Sequence, residues 1–289
     1  MNQEETITRR TFFKRGLQFW LSGLFLASSV YAYARYVEPN RLEITNVALS
    51  SAKIPSSFHH KKIILFSDVH LGHGYTLSDL KNLVVKINNL EPDIVVFAGD
   101  LIDDPLTYGN TGEIAPILSN IRASLGRFAI YGNHDHGGYG TERYKKVMKD
   151  AGFRLLINES VQIQGDDGYI VVAGIDDVLF GRHNPKKALS SLSKQTFTIL
   201  LAHEPDIADG MTNFPVDIQL SGHSHGGQIQ APFFGPVVTS ALAKKYVEGL
   251  YDIGTEGMQL YVSRGIGTTG MPLRFLCNPE LTVITLKSE

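Results

Sequence analysis

Short runs of apolar and β-branched residues alternate with segments of helical periodicity along most of the chain. Eight runs predict β-strands: Ile63–Phe66, Ile94–Ala98, Phe128–Tyr131, Ile170–Ala173, Phe197–Ala202, Val216–Leu220, Leu260–Ser263 and Leu281–Leu286. Apolar residues recur at helical spacing between several of these runs, in Leu77–Leu90, Glu113–Ala123 and Thr141–Ala151. Strands that alternate with helices indicate an α/β architecture with helices on the outer faces of a sheet.

The segment from residue 153 to residue 175 departs from this alternation, because three β-rich runs follow one another there without a clear helix. Such a succession favours an antiparallel or mixed part of a sheet. No internal repeat, low-complexity tract or long linker divides the chain after residue 41. We therefore predict a single domain over residues 35–289, built as a sandwich of two mixed β-sheets flanked by helices.

The first 34 residues follow a different pattern. Arg9, Arg10, Lys14 and Arg15 precede the uncharged stretch Leu17–Ala34, whose 18 residues are at the lower limit for a membrane span. The paired arginines, followed by an aromatic residue, resemble the twin-arginine signal, by which bacteria export folded proteins through a dedicated machinery. Residues 1–34 are thus predicted to be a cleaved twin-arginine signal peptide or a retained membrane anchor. Either alternative places the rest of the chain outside the cytoplasmic membrane, against the membrane or the cell wall.

The composition of the chain excludes several classes of function and of metal site. Hydrophobic residues make up 43% of the chain, which is enough for a sizeable core. The 27 basic and 29 acidic residues give a net charge of −2, whereas a protein that binds nucleic acid mainly through phosphates usually has a basic excess. The single cysteine, Cys277, excludes an intramolecular disulfide framework and a metal site built from several thiolates. No nucleic-acid interface is expected.

Polar side chains that can bind metal follow five of the predicted strands. The clusters are Asp68 with His70; Asp100; Asn133, His134 and Asp135; His203; and His223 with His225. Ligands of open α/β sheets bind beyond the carboxyl ends of the strands, so these five clusters can meet at one edge. A lone histidine is more often a surface residue, but five such clusters at strand ends predict a metal site.

Seven of these side chains are too many for one tetrahedral ion: Asp68, His70, Asp100, Asn133, His203, His223 and His225. Shared between two ions, with one carboxylate bridging, they leave positions open for water and substrate. Two ions about 3.5–4 Å apart can activate a hydroxide and neutralise phosphoryl oxygens during in-line displacement at phosphorus. We expect the Asp-x-His and His-x-His spacings, on extended backbone, to place both members on one side.

The motifs together resemble those of the calcineurin-like metallophosphoesterases. They are Asp68-x-His70, Gly99-Asp100-x-x-Asp103, Gly132-Asn133-His134-Asp135 and Gly222-His223-x-His225, with His203 between the last two. The N-terminal arginines, Gly226-Gly227-Gln228 and Arg264-Gly265-Ile266-Gly267 also resemble a narrower branch, the exported phosphodiesterases of the YkuE/YaeI type. The resemblance implies a four-layer αββα fold, a site for two divalent ions (manganese, zinc or iron) and hydrolysis of phosphodiesters or phospholipid-like substrates.

The resemblance also implies a role for each matching residue. Asp68, His70 and His225 would bind the first ion, Asp100 would bridge, and Asn133, His203 and His223 would bind the second. His134 would contact the phosphoryl group or protonate the leaving oxygen, and Asp103 would orient His134. For Asp135, a supporting or turn-capping role is an alternative to a catalytic one.

Two further residues have alternative interpretations. Arg264 can contact the phosphate of a substrate or can pair with a carboxylate at a strand end. His136 can belong to a mobile lip over the metals, together with Tyr139, or to a solvated turn. Two other functions remain as alternatives: a UDP-2,3-diacylglucosamine pyrophosphatase of lipid A synthesis, and an exported binding module without turnover.

Overall fold

The computed structural model describes residues 9–136, 140–255 and 257–289. The strands in this part of the chain are β1 Glu43–Ser51, β2 Lys62–Phe66, β3 Ile94–Phe97, β4 Gly126–Ala129, β5 Arg154–Leu155, β6 Glu159–Gln164, β7 Tyr169–Gly174, β8 Thr198–Leu201, β9 Ile218–Ser221, β10 Gln230–Ala231, β11 Gly235–Pro236, β12 Gly249–Ile253, β13 Met258–Val262 and β14 Glu280–Ser288. The α-helices are α1 Arg9–Ala32, α2 Leu77–Asn89, α3 Thr111–Leu118, α4 Gly140–Asp150, α5 Pro185–Leu189 and α6 Ala208–Met211. A π-helical turn, Tyr33–Val37, and four 3₁₀ turns, Glu38–Asn40, Ser56–Phe58, Pro205–Ile207 and His225–Gly227, complete the helical elements.

Two six-stranded sheets form the centre of the molecule, in the orders β1-β14-β2-β3-β4-β5 and β12-β13-β9-β8-β7-β6. Both are mixed. In the first sheet β14 runs antiparallel to β2, while β2 to β5 are parallel to one another. In the second sheet β12 and β6 are antiparallel to their neighbours at the two edges. The hairpin of β10 and β11 stands apart from both sheets.

Three apolar clusters hold the layers together. The cluster between the sheets includes Ile63 and Val96 of the first sheet and Val172 and Leu201 of the second. A second cluster joins the outer face of the first sheet to α2, α3 and α4, and a third joins the outer face of the second sheet to α5 and α6. Because helices cover both outer faces, the layers follow the order αββα. The predicted four-layer sandwich is confirmed.

Each of the eight apolar runs overlaps a strand of the structure, and each of the three helical segments overlaps a helix. The predicted antiparallel part is found where β6 pairs with β7, whereas β5 joins the other sheet. Helix α3 ends at Leu118, before the predicted Ala123. The side chains of Ser119 and Asn120 both donate to the carbonyl of Pro116, at 3.0 and 2.7 Å, and so compete with the continuation of the helix.

The N-terminal segment connects directly to the sandwich. Helix α1 exposes all of its residues, whereas Ala34, in the turn that follows, is buried. The carbonyl of Ala34 accepts the N–H of Arg274 at 2.9 Å. Among the described residues no helix is both long and apolar enough to cross a membrane. Residues 1–8 lie outside the described residues, and the division at residue 34 stays a prediction.

Candidate metal centre

The seven predicted ligands lie in the loops that follow β2, β3, β4, β8 and β9, at one edge of the sandwich. Five of them have positive φ angles: Asp68 +53°, His70 +46°, Asp100 +60°, His223 +67° and His225 +52°. The expectation that Asp-x-His and His-x-His act on extended backbone is therefore wrong. Each of these residues has a left-handed backbone conformation, which L-residues seldom adopt and which recurs at functional sites.

Glycines allow these loops to approach one another closely. A Cβ atom on Gly222 would collide with the carboxylate of Asp68, and one on Gly132 would collide with the carboxylate of Asp100. Any larger residue would therefore displace a carboxylate from the cluster. The glycines of the Gly-Asn-His-Asp and Gly-His-x-His motifs are thus required by packing.

Asp68, His70 and His225 form the first group of donor atoms. The Nε2 atom of His225 lies 3.1 Å from Nε2 of His70 and 3.5 Å from Oδ1 of Asp68. The other ring nitrogen of His225 is buried and has no hydrogen-bond partner among the described residues. Two imidazole nitrogens and a carboxylate oxygen that face one point fit a bound cation.

Asp100, His203 and His223 form the second group. The Nε2 atom of His203 lies 3.2 Å from Oδ2 of Asp100 and 3.2 Å from Oδ1 of Asn133. Asp100 also belongs to a third group, with His70 and His134, and its Oδ2 lies 3.5 Å from Nε2 of His70. The Asp100 carboxylate therefore lies between the two sets of donors, where a bridging ligand is needed.

Outer hydrogen bonds determine which ring nitrogens face the cluster. The Nδ1–H of His203 donates to the carbonyl of Ala98 at 2.6 Å, and the Nε2–H of His223 donates to the carbonyl of Ala241 at 2.7 Å. A carbonyl oxygen can only accept, so each of these nitrogens carries its hydrogen. The opposite nitrogen of each ring, Nε2 of His203 and Nδ1 of His223, is left to face a cation, as is typical of histidines that bind metal.

Burial and neighbouring charges shift the pKa values of several of the proposed ligands. Burial alone would raise the pKa of Asp100, but the charge and hydrogen bond of His203 hold it well below its usual range. Burial opposes protonation of His203, yet Asp100 and Asp68 raise the pKa of its imidazole well above normal. Burial and the charge of His70 hold the pKa of His225 well below normal. A divalent cation can replace the proton on His203 and neutralise the buried carboxylates.

His134 lies beside the cluster, with its main-chain N–H donating to Oδ1 of Asp100 at 2.8 Å. Its Nδ1–H donates to the main-chain carbonyl of Asp103 at 2.6 Å. The Asp103 carboxylate instead accepts the Nδ1–H of His70 at 2.9 Å and lies 4.0 Å from Nδ1 of His134. The expectation that the Asp103 side chain orients His134 is corrected, because the main chain does so and the carboxylate orients His70.

Asp135 connects the loops that follow β3 and β4. Its buried carboxylate accepts the N–H groups of Asp100, Leu101 and Gly132 at 2.8 to 3.0 Å. Burial and the charge of Asp100 raise the pKa of Asp135 to about 7. Asp135 thus ties the Asp100 loop to the Gly132 loop, which is the supporting alternative to a catalytic role.

The two predicted substrate contacts are occupied by other partners. The guanidinium of Arg264 lies 3.0 Å from Glu43, 3.3 Å from Glu280 and 3.7 Å from Glu248. These contacts favour the ion-pair interpretation of Arg264. The Nε2 atom of His136 lies 2.8 Å from Asp176, which positions the ring. Residues 137–139, including the proposed lip residue Tyr139, lie outside the described residues.

Arg274 is a supporting residue that the sequence prediction missed. Although fully buried, it donates to the carbonyls of Arg264, Gly265, Gly267 and Cys277 at 2.6 to 3.2 Å. These bonds fix the glycine-rich loop, whose Ile266 and Gly267 donate their N–H groups to the carbonyls of Ser67 and Asp68. One signal in the sequence could have found it, since Arg274 is the sole charged residue between positions 264 and 280.

Cys277 connects the same segment to the first donor group. Its thiol donates to the carbonyl of His225 at 3.2 Å, and its N–H donates to the buried carboxylate of Glu38 at 2.5 Å. The segment that follows α1 therefore contributes to the support of His225.

Comparison with known proteins agrees with this site. Residues 61–227 match the family described as calcineurin-like phosphoesterase. The chain is 46% identical over 283 residues to the metallophosphoesterase YkuE of Bacillus subtilis (strain 168), and the match covers 98% of both chains. It is 28% identical to the phosphodiesterase YaeI of Escherichia coli (strain K12), over 97% of this chain and 99% of that one. It is also 28% identical to the UDP-2,3-diacylglucosamine pyrophosphatase LpxG of Chlamydia trachomatis, over 88% and 92%.

The family match spans all five loops that carry the candidate ligands, and the YkuE match covers 98% of the chain. The donor sets of these loops fit the divalent ions that the fold implies. The loops that match the family are therefore the loops in which the possible metal-binding atoms cluster. The chain belongs to the calcineurin-like phosphoesterase family and is a metal-dependent phosphoester hydrolase.

Proposed function

We propose that the protein hydrolyses phosphodiester bonds at a binuclear metal centre. The observation that carries this proposal is the position of the Asp100 carboxylate, which is shared between donor groups on both sides. Asp68, His70 and His225 would hold one divalent ion, and Asn133, His203 and His223 the other. Manganese, zinc and iron suit this set of imidazole, carboxylate and amide ligands.

The ions, when bound, would supply positive charge for the phosphoryl oxygens and would lower the pKa of water. The chain's own contribution at the leaving group would come from His134. Its Nδ1–H is fixed on the carbonyl of Asp103, so Nε2 is the nitrogen that can face a substrate beside Asp100. From there Nε2 can donate to a phosphoryl oxygen or give a proton to the departing alkoxide.

We further propose that the enzyme acts at the cell envelope. The support is the basic start of α1, with Arg9, Arg10, Lys14 and Arg15, followed by an uncharged stretch. Replacement of Arg9 and Arg10 with lysine should trap the precursor in the cytoplasm with its hydrolase activity intact. Protease accessibility in intact cells reports the side on which the domain lies, and normal export of the double-lysine variant would contradict the twin-arginine route.

The chemical proposal is tested by metal analysis combined with a substrate panel. Two equivalents of divalent metal are expected per chain, with turnover of bis(p-nitrophenyl) phosphate far above that of p-nitrophenyl phosphate. Preferred cleavage of a nucleotide-lipid pyrophosphate would instead favour a function like that of the LpxG relative. Two bound metals without turnover of any of the three would favour a binding module.

A further inference from the structure

A cavity of about 390 Å³ opens beside the proposed metal centre. Its wall is mainly apolar and includes Ile229, Val237, Val238 and Met271. His225 lines the same cavity, so the cavity reaches one of the proposed ligands. Apolar hollows of this size that adjoin polar reactive groups bind the hydrocarbon parts of ligands.

Gln228 lines this cavity. Its side-chain amide donates to the carbonyls of Thr269 and Met271, at 3.1 and 2.7 Å, and its oxygen accepts the N–H of Thr269 at 2.9 Å. Both amide hydrogens and the oxygen are therefore used within the protein. The part of the wall that these three residues form is thus held in place before a ligand enters, and the Gln228 amide keeps no free hydrogen for a polar ligand.

The hairpin of β10 and β11 extends from the wall of the cavity. Ile229, which precedes the hairpin, and Val237, which follows it, both line the cavity, and the N–H of Val237 donates to the carbonyl of Ile229 at 2.9 Å. The tip of the hairpin carries Phe233 and Phe234, whose side chains are almost entirely exposed. Two adjacent exposed phenylalanines beside an apolar opening indicate contact with an apolar surface.

The end of the N-terminal helix lies on the same side of the molecule. Phe275 exchanges main-chain hydrogen bonds with the start of the hairpin, at Gln228 and Gln230, while its neighbour Arg274 donates to Ala34. Helix α1 has large exposed apolar side chains and a basic start. A helix of this composition suits the surface of a membrane that contains anionic lipids.

From these contacts we infer that the cavity binds the hydrocarbon chain of an amphiphilic phosphoester that resides in a membrane. The Phe233–Phe234 tip rests in the membrane surface and places the mouth of the cavity over the lipid. The inference rests on the proposed phosphodiesterase function, because the hydrocarbon chain in the cavity belongs to the same substrate as the phosphoester at the metal centre. It adds to that function the class of substrate.

The first experiment varies the length of the alkyl chain in the substrate to test the cavity. Methyl, butyl, hexyl and octyl p-nitrophenyl phosphates share one leaving group, and are assayed below their micelle concentrations with the Mn²⁺-loaded full chain. We expect kcat/KM to rise about three- to four-fold for each methylene group buried, until the cavity is full. Val238→Glu, which places a carboxylate in the wall, should flatten the rise. Val85→Glu, a matched change at an exposed valine of α2, should keep the wild-type slope.

A flat series in the wild-type protein would overturn the inference while leaving the phosphodiesterase function intact. If no ester in the series is hydrolysed, the proposed function fails by itself. Calorimetry with octyl phosphate and methyl phosphate then decides the cavity independently, since tighter binding of the octyl compound supports it and equal binding overturns it.

Vesicles test the membrane contact. Full-length Phe233→Ser/Phe234→Ser and full-length Phe180→Ser, a control at another exposed phenylalanine, are sedimented with vesicles of phosphatidylglycerol and phosphatidylcholine in equal parts. Loss of two inserted phenylalanines should weaken partitioning on the order of ten-fold or more, and the control should match the wild type. Equal partitioning of all three proteins would overturn the membrane contact.

Discussion

The Asp103→Asn variant distinguishes the roles of His70 and His134, which each donate a hydrogen bond to residue 103. The carboxylate accepts the Nδ1–H of His70 at 2.9 Å, whereas His134 is held by the main-chain carbonyl, which the substitution leaves in place. Asparagine retains an oxygen that can accept from His70 and from the hydroxyl of Thr269, so mainly the negative charge is lost. The change should therefore weaken metal binding through His70 and leave His134 in position.

The magnitude follows from the role of such carboxylates. Loss of a partner behind a histidine ligand typically lowers metal affinity about 10- to 100-fold, equivalent to about 1.4–2.7 kcal/mol. Activity measured against Mn²⁺ concentration should shift by this factor and return close to the wild-type value at saturating metal. Asp104→Asn makes the same chemical change at the neighbouring exposed aspartate and should not shift the dependence of activity on Mn²⁺ concentration.

His134→Asn is the contrasting variant. It should keep both metals and lose about 10²–10⁴ in turnover, with a greater loss for an alkyl diester than for a nitrophenyl diester, whose leaving group needs no proton. Asp103→Asn at saturating metal should show no such dependence on the leaving group. If its loss resists added metal and follows the leaving group as in His134→Asn, the reasoning from the two hydrogen bonds is refuted.

Three further predictions concern the site and its support. Asp100→Asn should lower occupancy of both ions and His225→Ala mainly that of one, so two metals retained in Asp100→Asn would contradict the bridge. Arg274→Met leaves buried carbonyls without a donor and should lower the free energy of unfolding in urea by about 3–6 kcal/mol, against little change for the exposed Arg122→Met; equal stability of the two would contradict this role. Burial, together with a neighbouring carboxyl group, raises the pKa of Glu204 to about 8. The folded state therefore keeps a proton that the unfolded chain releases above its ordinary pKa, so the metal-free protein should lose stability as pH rises from about 5 to 8. Glu204→Gln should flatten that loss, and an unchanged slope would assign it to other groups.

The strands that the sequence predicts are those buried on both faces. β3 consists of contiguous apolar residues, and β2 and β8 are apolar after their first residues, Lys62 and Thr198, because one face packs between the sheets and the other packs beneath helices. Strand β1 was not predicted, because it is mostly exposed and has no long apolar run. It lies at the edge of the first sheet, most of its residues are at least partly exposed, and its pairing with β14 joins segments far apart in the chain.

The candidate ligands could be predicted because metal-binding residue types are recognisable in the sequence. Side chains that can bind metal follow an apolar run at each of the five loops, and the order of the motifs resembles that of the family. The geometry behind that pattern was not predictable from spacing alone. The left-handed conformations of Asp68 and His70 come from hydrogen bonds between separate loops, such as those from Asp68 and Val69 to the carbonyls of Gly99 and Asp100.

Arg274 shows why the support of a site is harder to predict than its ligands. A metal ligand is selected for its own chemistry, but Arg274 acts only through carbonyl groups, which every residue has. Its four acceptors belong to residues whose side chains play no part in the contact. A sequence pattern can therefore show that a charged residue lies in an apolar segment, and only the folded backbone shows what it holds. The same holds for Ala34, whose carbonyl links the N-terminal helix to this support.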